Sequence, residues 1–324
     1  MYNPPFSISS KAINLIAKIS AQIERYAIRM EQSDSLKLRK ANRIKTIHSS
    51  LAIEGNNLSE GEVMAILDGK NVIAPQKEIL EVRNAIKTYE LYPTLNPFSA
   101  EDMLKAHLTM MSGLVDEAGM FRRRGVGVFD GTTAVHIAPP AERVKDLMND
   151  LFIWLENSED HLLIRSCVFH YEFEFIHPFA DGNGRIGRLW QSLILGKLNP
   201  LFEHLPVENM VYANQQAYYD AITQSSAKGD SQPFIDFMLQ EILNALEDRK
   251  GHTVDEIGLA NSLSENEIKI LGLIRSDRHM SAKRLAEEIG ASPRQIERIL
   301  AGLKERSIIR RVGANRNGYW EVIG

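Results

Sequence analysis

His177-Pro178-Phe179-Ala180-Asp181-Gly182-Asn183-Gly184-Arg185-Ile186-Gly187-Arg188 is the stretch from which the rest of the chain can be read. An apolar helical pattern ends near His177, a glycine-bearing loop follows, and Gly184-Arg185 opens the next apolar helix. Glycines let backbone N–H groups approach an anion closely, and a helix N-terminus adds positive potential. Arg185 and Arg188 are three residues apart, so they share one helix face and both can reach phosphates. Asp181 supplies a hard oxygen ligand of the kind Mg²⁺ takes. His177 titrates near neutrality and suits a general base. A plain helix–loop–helix turn, with glycines for geometry and arginines in solvent, would explain any one of these residues. Convergence of an anion cradle, a cation ligand and a base in one loop argues for a site. It is not a Walker A element, because no Gly-Lys-Ser/Thr follows the glycines.

Outward from this loop, helical periodicity dominates, and the spacing predicts a mainly α protein. Ile16, Ile19, Ile23, Tyr26 and Met30 form one apolar stripe, with Ser9 or Ser10 as its cap. A second helix is expected from about 35 to 54, with Gly55 past its end. Further helices are predicted near 60–68, 77–92, 100–113, 139–157, 161–177, 184–198, 212–227 and 233–248. Residues 125–138 read instead as a β-hairpin, since Asp130-Gly131 lies between β-formers. The chain turns polar around Arg249-Lys250-Gly251-His252, where a linker is placed. Beyond it come three short helical patterns (264–275, 281–289, 293–306) and two β-rich runs, the outline of a winged helix-turn-helix. The expected organisation is an N-terminal helical region over 1–95, a helical core with a hairpin over 96–250, and a winged module over 257–324.

Composition excludes several classes. The 324 residues carry a net charge of −4, so no global charge calls for nucleic acid or an anionic membrane. Residues 257–324 hold 12 Lys+Arg against 8 Asp+Glu, a net of +4, leaving −8 for the rest. The single cysteine, Cys167, permits no intramolecular disulfide and reads as a buried, inert thiol. No uncharged apolar run reaches spanning length, and Met1-Tyr2-Asn3-Pro4-Pro5 is not a secretory leader. No membrane partner and a cytoplasmic location are therefore expected.

Positions 177–188 resemble the Fic family pattern His-x-Phe-x-Asp/Glu-Gly-Asn-Gly-Arg-x-x-Arg at every specified place. The family's helical core with a β-hairpin flap fits residues 96–250, and the 125–138 hairpin sits where the flap belongs. The resemblance implies a protein adenylyltransferase that moves AMP from ATP to a Ser, Thr or Tyr hydroxyl of a target protein or of itself. His177 would be the base and Asp181 the Mg²⁺ ligand. Gly182, Asn183 and Gly184 would line the anion hole, and Arg185 and Arg188 would bind the β- and γ-phosphates. Val135 and His136 on the flap would dock the target by strand addition. Tyr218 and Tyr219 would border the adenosine. Relatives that transfer phosphate carry a lysine where Gly184 stands, so Gly184 favours AMP transfer. An arginine common in relatives is replaced by Gln215, a departure in the adenosine pocket.

Ser50-Leu51-Ala52-Ile53-Glu54-Gly55 places Ser50 and Glu54 four apart on one helix face. A carboxylate in a last helical turn faces the negative end of the dipole and is disfavoured by about 0.3–1 kcal/mol unless a cation compensates. A solvated glutamate before a glycine stop is the plain alternative. The stretch also matches the Fic inhibitory motif Ser/Thr-x-x-x-Glu-Gly/Asn. That likeness implies a Glu54–Arg188 pair occupying the γ-phosphate position. In some relatives the same glutamate aligns water to remove AMP, which is an alternative activity for this site. In the C-terminal module, Ser292-Pro293 starts a helix whose Arg294, Gln295 and Arg298 are placed to meet bases. Arg310, Arg311 and Arg316 fall on the hairpin, within reach of phosphates. Such a module serves DNA binding, protein docking or homodimerisation alike. Two readings stand: an AMP-transferring enzyme held off by Glu54, and a nucleotide-sensing DNA-binding regulator.

Overall fold

The computed structural model describes residues 2–32, 35–130, 133–247, 265–276, 278, 280–289, 291–305, 309–312 and 319–322; within these, the side chains of 26–39, 127–137, 204 and some positions beyond 264 stand outside the description. The chain forms two compact units, Met1–Arg249 and Lys250–Gly324.

In the first unit, α1 (Ser10–Gln32) begins where Ser9 Oγ accepts from the Ala12 N–H at 2.9 Å. Helix α2 (Ser35–Ile53) buries Ala41, Ile44, Ile47 and Leu51, a stripe at three- and four-residue spacing. Gly55, at φ 87°, takes the left-handed turn that stops it. Then come α3 (Glu60–Leu67), opened by a Ser59–Glu62 capping box, and α4 (Gln76–Leu91). Helix α5 (Ala100–Met111) starts with Ser99 Oγ accepting from the Asp102 N–H.

Strands β1 (Gly127–Asp130) and β2 (Thr133–Ile137) pair antiparallel, with a register shift between Val128 and Phe129. Next are α6 (Ala141–Asn157), α7 (Leu162–Ile176) and α8 (Asn183–Leu198). After them run α9 (Val207–Ala213), α10 (Gln215–Lys228) and α11 (Gln232–Glu247). The helix expected over 212–227 is α10, and α9, which precedes it, is a further helix that the periodicity does not announce. A seven-residue helix shows too little periodicity to be read, and α9 is set by tertiary packing, with Val207 and Val211 buried and α2 alongside.

Helix α7 is buried nearly all round, from Leu163 to Ile176, and packs on α8. It is the axis of the unit, which explains why its apolar residues fall on every face. Trp190, Phe169, Phe173, Phe179 and Phe234 fill the surrounding core. Helices from residues 1–95 share this core: α1 packs on α11, and α2 on α4, α8 and α9. Cys167 is buried and free, and burial pushes its thiol up to about 12.

The second unit has helices at Glu265–Ser276, Ala282–Ile289 and Pro293–Glu305, and an antiparallel strand pair, Ile309–Val312 with Tyr319–Val322. Its own core includes Ile270, Ile274, Leu285, Ile296, Leu303 and Ile309. Among the described residues, no helix is long and apolar enough to cross a membrane.

Candidate active site

The motif loop is shaped by its own residues. The His177 N–H donates to Phe173 O at 2.9 Å, closing α7. His177 itself turns left-handed (φ 50°), the one non-glycine residue at positive φ among those described. Four residues on, the Asn183 side chain clamps Phe179: its Oδ1 accepts from Phe179 N–H and its Nδ2 donates to Phe179 O, each at 2.9 Å. The Asn183 amide therefore holds the loop. Gly182 is at φ 85°, and a Cβ there would meet Met111 Sδ at 2.7 Å.

Beneath the loop, His107 stacks on Phe179 with ring centroids 3.7 Å apart. Its Nδ1 accepts from the Gly119 N–H at 2.8 Å, so Nε2 carries the proton and donates to Asp181 O at 3.0 Å. Burial pushes this histidine down to about 4, so it stays neutral and holds Asp181 from below. The Asp181 side chain is 52% exposed; its Oδ1 accepts from the Gly182 N–H at 2.6 Å and from Arg185 Nη2 at 3.2 Å.

Arg122, buried at 2% exposure, joins the loop to the hairpin. Its Nε donates to His177 O at 2.7 Å and its Nη2 to Ile176 O at 3.2 Å, the end of α7. The same guanidinium donates to Arg124 O, before β1, and to Pro139 O, after β2. Both legs of the hairpin are thereby tied to the residue that precedes the loop. Val135 and His136 lie in β2, whose only partner among the described residues is β1, leaving one edge unpaired; their side chains are outside the described ones.

Arg188 comes off the next turn of α8 and is only 3% exposed. Nη2 donates to Glu54 Oε1 at 2.8 Å and to Ser50 O at 2.7 Å, while Nε donates to Ser50 Oγ at 3.2 Å. Burial alone would lower the Arg188 pKa, but Glu54, helped by Tyr218 and Glu174, raises it above the ordinary value. The cation that α2's last turn needs is therefore Arg188. A Cβ on Gly184 would collide with the Glu54 carboxylate and lie 2.9 Å from Arg188 Nη1. Glu54 thus lies over the first turn of α8, where an anion would sit. Arg185 pairs with Asp181 and stands 3.8 Å from Glu81 Oε1.

Glu174, His170 and Glu208, around the site, carry no sequence signal. Glu174 lies one turn before His177, its Oε2 3.9 Å from His177 Nδ1. His170 Nδ1 lies 2.7 Å from Gln191 Oε1, and Tyr218 OH lies 3.1 Å from its Nε2. Glu208 accepts from Ser192 Oγ at 3.2 Å and Tyr89 OH at 3.5 Å, and burial pushes it up to about 7. Tyr218 takes the core side of α10 at 1% exposure, and Tyr219 the surface side at 45%. Gln215 Nε2 donates to Ile53 O at 3.1 Å, satisfying a C-terminal carbonyl of α2. Gln215 thus has a partner at the C-terminal end of α2.

Asp181 is a half-exposed single carboxylate, and no cluster of metal-ligating side chains occurs among the described residues. One carboxylate completed by phosphates and water is how Mg²⁺ is usually held beside a nucleotide, so the residues fit that ion and not a protein-built cage. In the second unit, Arg294, Gln295 and Arg298 are exposed on the third helix. Arg311 stacks over Trp320 at 4.8 Å, and Arg316 lies outside the described residues.

Residues 97–195 match the Fic/DOC family. A Fic family protein from Desulfovibrio desulfuricans G20, solved by crystallography, is 40% identical, with a TM-score of 0.73 over 100% of this chain and 99% of that one. Protein adenylyltransferase fic-1 of Caenorhabditis briggsae is 30% identical over 71% of this chain and 47% of its own length. Protein adenylyltransferase Fic of Nematostella vectensis is 29% identical over 59% and 45%. The chain spans about half the length of these curated relatives. Fic-1 of Caenorhabditis elegans (aa134 - 508), at 22% identity and a TM-score of 0.57 over 78% of this chain and 74% of that one, shares the fold. With the motif loop, hairpin and full-length likeness in place, the chain belongs to the Fic family.

Proposed function

We propose that this protein is an adenylyltransferase that moves AMP from ATP to a protein hydroxyl and is restrained by Glu54. The observation that carries the reading is the Arg188 guanidinium, buried and bonded to Ser50 and Glu54 beside the motif loop. In the reaction, the target hydroxyl loses its proton to His177. The oxygen's electron pair forms a bond to the α-phosphorus, and the bond from that phosphorus to the bridging oxygen breaks as pyrophosphate leaves. Backbone N–H groups at Gly182–Gly184 and the start of α8 stabilise charge on the phosphoryl oxygens. Arg185 and Arg188 orient the β- and γ-phosphates. Asp181 would hold Mg²⁺, which would supply neutralisation of phosphate charge. Tyr219, the exposed one of the tyrosine pair, borders the adenosine. Strand β2 receives the target backbone along its open edge, with Arg122 fixing hairpin and base together.

In the resting arrangement Glu54 engages Arg188 and covers the α8 N-terminus, so triphosphate meets a carboxylate where its γ-phosphate belongs. Labelled ATP supplied to wild type, Glu54→Gly and His177→Ala tests this. Transfer should rise in the first variant and vanish in the second with ATP binding retained. Full transfer by His177→Ala would remove the base, and unchanged transfer by Glu54→Gly would remove the restraint.

The second unit is read as a winged helix that binds DNA. Its three helices and hairpin, and the exposed Arg294, Gln295 and Arg298, support this.

A further inference from the structure

The geometry points to Glu174 as a positioning residue for His177: its carboxylate takes the Nδ1 proton of the imidazole as a hydrogen bond and leaves Nε2 to receive the proton of the target hydroxyl. The inference rests on the reading of His177 as the base.

Glu174 is 12% exposed on the last turn of α7, three residues before His177. Its Oε2 stands 3.9 Å from His177 Nδ1, and its Oε1 stands 3.9 Å from His170 Nε2. The two histidines are not equivalent. His170 is fully buried, and its ring nitrogens lie 2.7 Å from Gln191 Oε1 and 3.1 Å from Tyr218 OH. Gln191 Oε1 accepts from Nδ1–H, so Nε2 accepts from the tyrosine and has no proton for Glu174. Burial holds His170 neutral, down to about 3. The histidine that Glu174 can serve is His177.

The surroundings make room for this carboxylate. On α8, a Cβ at Gly187 would meet Glu174 Oε1 at 2.7 Å, so the glycine leaves its space open. Oε1 is buried without a hydrogen-bond partner. A buried carboxyl oxygen so placed is costly unless the group has work elsewhere. The charged and titratable groups that act on it are His170 and His177 from α7 and its end, Arg188 from α8, Glu54 beyond α2 and Tyr218 from α10. Burial pushes the Glu174 carboxyl up to about 8, with Arg188 lowering it and Glu54 raising it. Departure of Glu54 removes one upward influence, so release of the restraint favours the ionised form that orients the base.

A closing movement of about 1 Å brings a 3.9 Å contact to hydrogen-bond length, and such contacts commonly tighten when substrate binds. Supports of this kind fix the tautomer of the ring they hold, and their loss typically costs about 10–100-fold where metal-bound histidines are concerned.

The test uses full-length Glu54→Gly protein as parent, with Glu174→Gln, Glu174→Ala and His177→Ala added singly. AMP transfer is measured across pH, with kcat and the KM for ATP separated, and folding is checked by thermal melting. Glu174→Gln keeps the side-chain volume, so it reports even if the alanine variant does not fold. The expected result is a loss of about 10-fold or more in kcat, an unchanged KM, and an acid limb moved to lower pH, since a neighbouring carboxylate raises an imidazole's pKa. Unchanged kcat in Glu174→Gln overturns the proposal. A lower kcat with an unmoved acid limb overturns it too, because that is packing without orientation. Full activity of His177→Ala would instead overturn the base itself.

Discussion

Replacing Glu54 with glycine removes one partner of an ion pair whose energy, on the proposed restraint, sets how often the site is open. The pair is 2.8 Å long, with Arg188 at 3% exposure and Glu54 at 30%. A charge-assisted hydrogen bond of this kind is worth about 1.5–3 kcal/mol, and the exposed side of Glu54 argues for the middle of that range. Arg188 keeps its bonds to Ser50 O and Oγ, so only the carboxylate's share is lost. Taking about 2 kcal/mol, the equilibrium shifts roughly 30-fold toward an arginine available for phosphate. Initial rates of label incorporation from α-labelled ATP, at saturating Mg²⁺, should rise by about that factor. Glu54→Gln should give a smaller rise, because the amide retains the shape and a neutral hydrogen bond. Arg188→Ala should not mimic the gain, since it removes restraint and phosphate ligand together. Equal rates for wild type and Glu54→Gly would refute the reasoning, as would a fully active Arg188→Ala.

Further expectations follow from the geometry. Asp181→Ala should weaken ATP binding and transfer together and flatten their Mg²⁺ dependence, read by titration calorimetry at several Mg²⁺ concentrations. Arg122→Lys offers one ammonium where a fork serves the carbonyls of Ile176, His177, Arg124 and Pro139. It should cost about 3 kcal/mol of stability by denaturant titration and raise the KM for the target more than that for ATP. Thermal stability should fall as pH rises from 6.5 to 8.5. Glu172 and Glu208, each raised to about 7, and Glu174, raised to about 8, keep protons in the folded chain that the unfolded chain has lost. The histidines held neutral, His107 and His170, act the other way as the unfolded imidazoles lose their protons around pH 6.5, an opposing effect that fades by about pH 7.5. Glu208→Gln should flatten the melting-temperature profile there.

The motif loop was legible because its meaning is local. A helix stop, glycines, a carboxylate and two arginines at fixed spacing dictate a loop opening a helix N-terminus wherever they occur. The hairpin was legible for the same reason, through Asp130-Gly131. Tyr218 and Tyr219 were not separable as a pair, since adjacent helical positions point about 100° apart and only the packed fold says which faces Phe234.

What the sequence by itself determined is the set of short-range facts: helix periodicity, the loop, the glycine that ends α2, and the pattern Ser50–Glu54 that resemblance ties to Arg188. What only the tertiary structure decided are contacts across long sequence separations. Arg122-Arg123-Arg124 is a run of three like charges on paper, and packing alone chooses Arg122 to enter the core and reach His177 and Pro139. Gln215 reads as a missing arginine until it is seen donating to Ile53, 162 residues away. Glu174 reads as one of two acids in a largely apolar helix, and its meaning appears when α7 and α8 close around it. Hydrogen bonds and desolvation depend on which groups share a few ångströms of space, and that neighbourhood is a property of the folded chain.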